Sequence, residues 1–284
     1  MNRRDFLTGV AAGLGTACIS TNLSSALEVP ASPKPLAHDR VTLGKTGIVT
    51  SRLAMGTGTI GYGGASNQTR TGVLTALLLK GYDRGLNFFD TADSYGSHPE
   101  VAAALRQIPR DKAVVMTKCD SRDPAEAKAD VDRFLKELHT DYIDILLVHC
   151  VTEEDWTTRY RGVMDVFSEA KAQGKIRAHG VSCHSISALR AAAASPWVEV
   201  DLVRLNPIGA VMDDHPDTVT DVVREMRSQG KGIVGMKILG QGAMRQRQDE
   251  AIRYALRHEV LDAFTIGAEN EQEQQDLIQR IAAA

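Results

Sequence analysis

Residues 85–96 read GLNFFDTADSYG, and this stretch decides the fold. Asn87, Phe88 and Phe89 form a short run of the kind that makes a buried strand, and Asp90 follows where the chain should leave the core. A carboxylate in that place needs a cation. Two later apolar runs also end on an ionisable group: AVVMTK closes on Lys118, and DILLVH closes on His149. A Lys buried beside an Asp offsets the desolvation that would make either costly alone, and the pair can shift the pKa of a nearby phenol. Tyr95, five residues after Asp90, is that phenol.

Outward from this stretch, short apolar strands alternate with longer helical patterns, which argues for parallel β/α units. Residues 52–55 open the series, and Gly56-Thr57-Gly58-Thr59 follows as a tight turn. Helices are expected over 71–84, 99–106, 124–138 (after Asp123 as cap), 158–173, 186–194, 218–228, 249–258 and 271–281. Between them, strands are expected over 176–182, 198–205, 232–236 and 263–266 as well as the three runs above. Counted from Leu53, this makes eight strands and eight helices, the count of a (β/α)8 TIM barrel. Ligand groups then belong on the loops after the strands, where Asp90, Tyr95, Lys118 and His149 fall.

These residues resemble the aldo-keto reductases. That family carries an Asp and a Tyr five apart in a D-T-A-x-x-Y-G stretch, then a Lys and a His at the ends of the next two strands. Asp90, Tyr95, Lys118 and His149 match in order, and the resemblance covers the chain from about His38 to its end. It implies NADP or NAD as cofactor and a small-molecule carbonyl substrate, with Tyr95 as general acid, Lys118 lowering its pKa, Asp90 holding Lys118 and His149 orienting the carbonyl. It also implies that a hairpin at residues 41–49, about a Gly-Lys-Thr-Gly turn, plugs the bottom of the barrel. The segment 151–160 is short and IAAA follows the last helix directly, so a comparatively open pocket is expected.

On the cofactor side, the resemblance points to the turn at Gly58 and Thr59, to Ser182 and Cys183, to Met236, and to Lys237, Leu239 and Gly240. The family pairs Ser with Asn after strand five, then places a Gln after strand six and an aromatic after strand seven. Here Cys183 replaces the Asn, Leu202 falls about where the Gln is expected, and Met236 falls about where the aromatic is expected. A thiol cannot replace a carboxamide, although a thioether can pack on a flat ring. The stretch GMKILGQGAM, 235–244, suits either a loop over a pyrophosphate, with N–H groups and Lys237 meeting phosphate, or an ordinary Gly-rich turn. The cations that hold a 2'-phosphate in NADP-preferring members are replaced by about Ala268 and Gln274, with Glu269 and Glu271 beside them.

The 284 residues are 43% hydrophobic and 24% charged, with a net charge of −3. Mild acidity without a Lys/Arg run argues against nucleic acid or an anionic membrane surface as main partner. No segment reaches the length of apolar residues that a membrane span needs. The start, Asn2-Arg3-Arg4-Asp5-Phe6-Leu7, followed by a Gly- and Ala-rich apolar segment from Phe6 to Ile19, resembles a twin-arginine (Tat) export signal. The alternative is a basic N-terminus without that role. Ser24-Ser25-Ala26 has the small residues expected of a cleavage site, and the weaker likeness of residues 14–18 to a lipoprotein site places Gly15 where a larger apolar residue is usual.

The expected organisation is therefore a Tat signal peptide and Pro-containing linker over 1–37 and a barrel domain over 38–284, exported by the twin-arginine machinery to the periplasm or beyond. Cys119, Cys150 and Cys183 each follow a mouth residue, and strand alternation turns them away as small filler rather than a metal or redox cluster. The expected activity is reduction of an aldehyde or ketone to an alcohol. The alternative is a non-catalytic dinucleotide-binding sensor or accessory protein on the same barrel.

Overall fold

Eight apolar runs pair in parallel and close on themselves in the computed structural model, which describes residues 34–257 and 259–284. The hairpin comes first, β1 (Arg40–Thr42) against β2 (Val49–Ser51), with Val41 opposite Thr50. The barrel follows as β3 (Leu53–Gly56), β4 (Phe88–Asp90), β5 (Val114–Cys119), β6 (Ile143–Val151), β7 (Ile176–Cys183), β8 (Val200–Arg204), β9 (Gly232–Met236) and β10 (Ala263–Ile266). Its closed order runs β10-β3-β4-β5-β6-β7-β8-β9, so the last strand pairs with the first, Thr265 opposite Ala54. The expected TIM barrel with an N-terminal hairpin is the observed fold.

Alternation along each strand divides the core in two. Phe88, Met116, Leu147, Val200 and Val234 fill the barrel interior, where Leu43 and Ile48 of the hairpin segment join them and close the bottom. Phe89, Val115, Leu146 and Val203 face the other way, into the layer beneath the helices. Both layers are shielded from solvent, and each such buried side chain contributes about 1.5–3 kcal/mol.

The helices are α1 (Asn67–Thr71), α2 (Leu74–Asp83), α3 (His98–Leu105), α4 (Pro124–Leu138), α5 (Trp156–Arg159), α6 (Arg161–Ala172), α7 (Ile186–Ala194), α8 (Pro216–Ser228), α9 (Gln248–Arg257) and α10 (Glu271–Ala283). Asp123 caps α4 as expected, its Oδ1 accepting from the N–H groups of Ala125 at 2.8 Å and Glu126 at 3.1 Å. Two expected helices differ. The one over 71–84 starts only at Leu74, because Gly72, at φ 67°, ends a separate short helix, α1, for which Ser66 and Thr69 build a capping box. The one over 158–173 starts earlier and breaks at Tyr160, whose backbone leaves the helical region between α5 and α6. The strand expected over 198–205 is Val200–Arg204.

The twin-arginine segment and the cleavage-site residues lie outside the described residues. Among the described residues, no helix is long and apolar enough to cross a membrane.

Candidate active site

Counting two residues on from the barrel interior puts one side chain per strand at the mouth. Phe88 leads to Asp90 on β4, Met116 to Lys118 on β5, Leu147 to His149 on β6, and Ala263 to Thr265 on β10. Lys118 is fully buried, and its Nζ donates to Asp90 Oδ1 at 2.6 Å and to the Thr91 carbonyl at 2.7 Å. The other oxygen of Asp90 accepts from Thr265 Oγ1 at 2.8 Å. Each charge thus has its partners, which is the condition for keeping an ion pair away from water.

Tyr95 sits at the end of a single 3₁₀ turn, Asp93–Tyr95, closed by Gly96 at φ 62°. A Cβ on Gly96 would collide with the Gly64 carbonyl, so only glycine fits there. A Cβ on Gly58 would strike the Tyr95 ring, and one on Gly61 would lie 2.9 Å from Tyr95 Cδ1. The two glycines make the slot that holds the phenol against Lys118, whose Nζ lies 4.7 Å from the ring centre. Burial pushes the Tyr95 hydroxyl up from 10.0, Lys118 pulls it down, and the balance is upward. The expected lowering by Lys118 is present but outweighed, because in the half-buried slot desolvation of a phenolate costs more than one ammonium returns. Burial works against the Lys118 ammonium too, but the charges of Asp90 and Tyr95 outweigh it and raise its pKa overall.

The ring of His149 stands edge-on to Tyr95, centroids 5.9 Å apart. It lies where the β6–β7 register shifts between Val148 and Val151, and Cys150 in the shift has φ 51°. Such a bulge re-aims the side chains around it. Burial lowers the His149 pKa, with Asp120 pulling the other way. The structure therefore brings all four predicted groups together at one mouth.

Residues 52–283 match the description "Aldo/keto reductase family". The chain belongs to the aldo/keto reductase family. It is 30% identical over 167 residues to the "NADH-specific methylglyoxal reductase" of Escherichia coli (strain K12), covering 50% of this chain and 51% of that protein. It is 33% identical over 162 residues to "Aldo-keto reductase YhdN" of Bacillus subtilis (strain 168), covering 51% of this chain and 47% of that protein. The chain thus spans about half the length of these relatives. Among solved structures, "aldo-keto reductase AKR11C1 from Bacillus halodurans (holo form)" shares the fold, with TM-score 0.70 and 19% identity over 87% of this chain and 92% of that one.

The cofactor expectations that follow from this family fare unevenly. Ser182, at the inward position two beyond Gly180 on β7, is fully buried and its hydroxyl has no hydrogen-bond partner among the described residues. An orphaned donor there fits a ligand amide. Met236 ends β9 among the interior side chains, where its thioether can underlie a flat ring. Lys237 has no ion pair among the described residues, stands at φ 55°, and is partly buried, which lowers its pKa; a bound anion would compensate it. These residues fit a dinucleotide.

Others do not. Cys183 points away from the mouth by alternation: it is buried in the outer layer, with Sγ 3.4 Å from Asp201 Oδ2. The N–H groups of Gly240, Gly242, Ala243 and Met244 are spent on carbonyls of Lys237, Leu239 and Gly240, so the Gly-rich loop offers few to a pyrophosphate. The Leu239 side chain packs on the outer core, and Gly240, at φ 56°, serves the turn. Thr59 is held by Gln68, whose amide donates to its hydroxyl at 2.9 Å and accepts its N–H at 3.2 Å. Leu202 lies inside the barrel; Arg204, two residues on, takes the mouth position and pairs with Asp213. Gln274 is turned inward, donating to the Leu77 carbonyl at 2.9 Å and accepting from Arg84 at 2.9 Å.

Thr265, Gly61, Asp120 and Arg204 were missed. Thr265 and Arg204 follow from the period-two count once strand ends are known, whereas Asp120 and Gly61 lie on loops and gave no periodic signal. The thiols also differ: Cys119 and Cys183 are buried, but Cys150 is exposed, with Sγ 3.7 Å from His184 Nε2. Among the described residues, no three His, Cys, Asp or Glu side chains gather as a metal site. A cavity of about 390 Å³ lies at the opposite end, by the starts of β3 and β10, where Arg227 pairs with Asp262 at 3.0 Å. Its Arg–Asp pair is satisfied, although Arg52 Nε on its wall has no hydrogen-bond partner among the described residues.

Proposed function

We propose that this chain reduces an aldehyde or ketone to an alcohol with NADH or NADPH. The observation that carries the reading is the buried Asp90–Lys118 pair set against the Tyr95 ring. The nicotinamide cofactor, when bound, supplies a hydride to the carbonyl carbon. Ser182 would hold its amide, Met236 would underlie its ring and Lys237 would meet its phosphates. Tyr95 Oη holds the proton that the carbonyl oxygen gains. Lys118 favours the phenolate that remains, and Asp90, steadied by Thr265, keeps Lys118 charged and in place. His149 borders the position of the carbonyl oxygen, and the raised Tyr95 pKa keeps the phenol loaded at neutral pH.

The mouth loops give the substrate its shape. Ile60 and Tyr62, after β3, and Ile208 and Val211, after β8, are the large apolar side chains exposed there. They suit a carbonyl compound with a bulky apolar body more than a small polar one.

Tyr95→Phe tests the chemistry, because it keeps the ring and removes the transferable proton. Carbonyl reduction is expected to fall by about 10²–10⁴ while dinucleotide binding persists. Wild-type turnover in the variant would overturn the assignment. No turnover by the wild type on a broad carbonyl panel, with binding intact, would favour the sensor reading.

The leader supports export through the twin-arginine machinery to the periplasm or beyond. Replacing Arg3 and Arg4 by Lys should leave the protein in the cytoplasmic fraction, and unchanged fractionation would reject it.

A further inference from the structure

His149 Nδ1 lies 2.7 Å from Asp120 Oδ1, two residues past Lys118 on the loop that leaves β5. Partial burial pushes the Asp120 carboxyl up, but bonds from His149 and Ser94, with the charge of Arg122, bring it below its ordinary value. Asp120 is therefore a carboxylate at neutral pH. A carboxylate only accepts hydrogen bonds, so the shared proton sits on Nδ1. A neutral imidazole has one N–H, which leaves Nε2 with a lone pair. Among the described residues, no hydrogen bond reaches Nε2. A carbonyl oxygen also only accepts, and it finds no donor on neutral His149. The imidazolium alone presents Nε2–H to it.

We propose that Asp120 is a positioning residue that locks His149 as the Nδ1–H tautomer, so that His149 donates to a carbonyl oxygen only when doubly protonated. The tautomer half stands on the 2.7 Å contact; the carbonyl half rests on the function proposed above. The groups that set the protonation of His149 come from every side. Burial opposes the imidazolium most strongly and lowers the pKa overall, Asp120 and Asp90 favour the imidazolium, Lys118 opposes it, the His184 ring lies 6.5 Å away, and Tyr95 meets it edge-on. Arg122 donates to the His149 carbonyl, which ties the Asp120 loop to β6.

The test is nitrogen-15 NMR of the folded chain with labelled histidine, without substrate, at about pH 8, with His149 assigned by its loss in His149→Gln. The wild type should show Nδ1 protonated and Nε2 bare. Asp120→Ala should move the proton to Nε2 in a large fraction of molecules while the other histidine signals stay in place. A wild-type Nε2–H signal overturns the proposal, whether or not the protein reduces carbonyls. The pH profile supplies the second readout. Wild-type kcat/KM for reduction should fall about tenfold per pH unit above the His149 pKa, and Asp120→Ala should lose that limb. A flat wild-type profile would overturn the carbonyl half. The expected tautomer in a protein without reductase turnover would uphold the lock and reject the function proposed above.

Discussion

Lys118 Nζ and Asp90 Oδ1 lie 2.6 Å apart on the inward faces of β5 and β4, with no exposure of the Lys side chain and 7% of the Asp. Neither charge is stable there without the other. Asp90→Ala should cost about 3–5 kcal/mol in denaturant unfolding, because it strands a buried ammonium. Adding Lys118→Met to that variant should recover part of the loss, and failure to recover any would show that the cost lies in packing. The Lys118 pKa is raised above 10.5, so the stability from the pair is present at neutral pH and declines only as pH rises through that higher value.

Asp201 is fully buried on β8, its Oδ1 has no hydrogen-bond partner among the described residues, and burial pushes its pKa up to about 8. Folding therefore favours the protonated acid. Its contribution is full below the ordinary value of 3.8 and is lost as pH rises towards about 8. Urea midpoints should fall between these limits in the wild type, and Asp201→Asn should flatten the fall. A variant with an unchanged slope would place the charge elsewhere.

Cys150 is exposed, whereas Cys119 and Cys183 are buried and burial raises the Cys119 thiol to about 12. Brief native alkylation followed by peptide mass analysis should mark Cys150 alone of these three. Burial raises the Cys150 thiol as well, so the reaction should be slow and accelerate with alkali. Labelling of Cys119 or Cys183 in the folded protein would contradict their packing.

The start of α10 carries Glu271 and Glu273, its cap is filled by Asn270, and Glu273 accepts from the Glu269 N–H at 2.8 Å. Neither Ala268 nor the inward-turned Gln274 supplies a cation. A 2'-phosphate should therefore gain little, and fluorescence titration should find NADPH no more than about tenfold tighter than NADH. A hundredfold preference for NADPH would reveal a cation that reaches the phosphate from another loop.

Much of the barrel and the placement of its candidate site residues was already legible in the order of residues. Period-two alternation, caps such as Asp123 and runs ending on Asp90, Lys118 and His149 are local signals, and each strand carries its own inward and outward faces. That alternation also turns Cys119 and Cys183 away from the mouth. What needed the tertiary structure depends on neighbours far along the chain. The register shift opposite β7 exposes Cys150, and the closing of β10 on β3 brings Thr265 to Asp90 across 175 residues. The loop after β5 sets Asp120 against His149, and the packing of α10 on α2 draws Gln274 inward. Burial then decides the Tyr95 proton against the pull of Lys118, because desolvation depends on everything packed around the phenol, not on which residue stands five places before it.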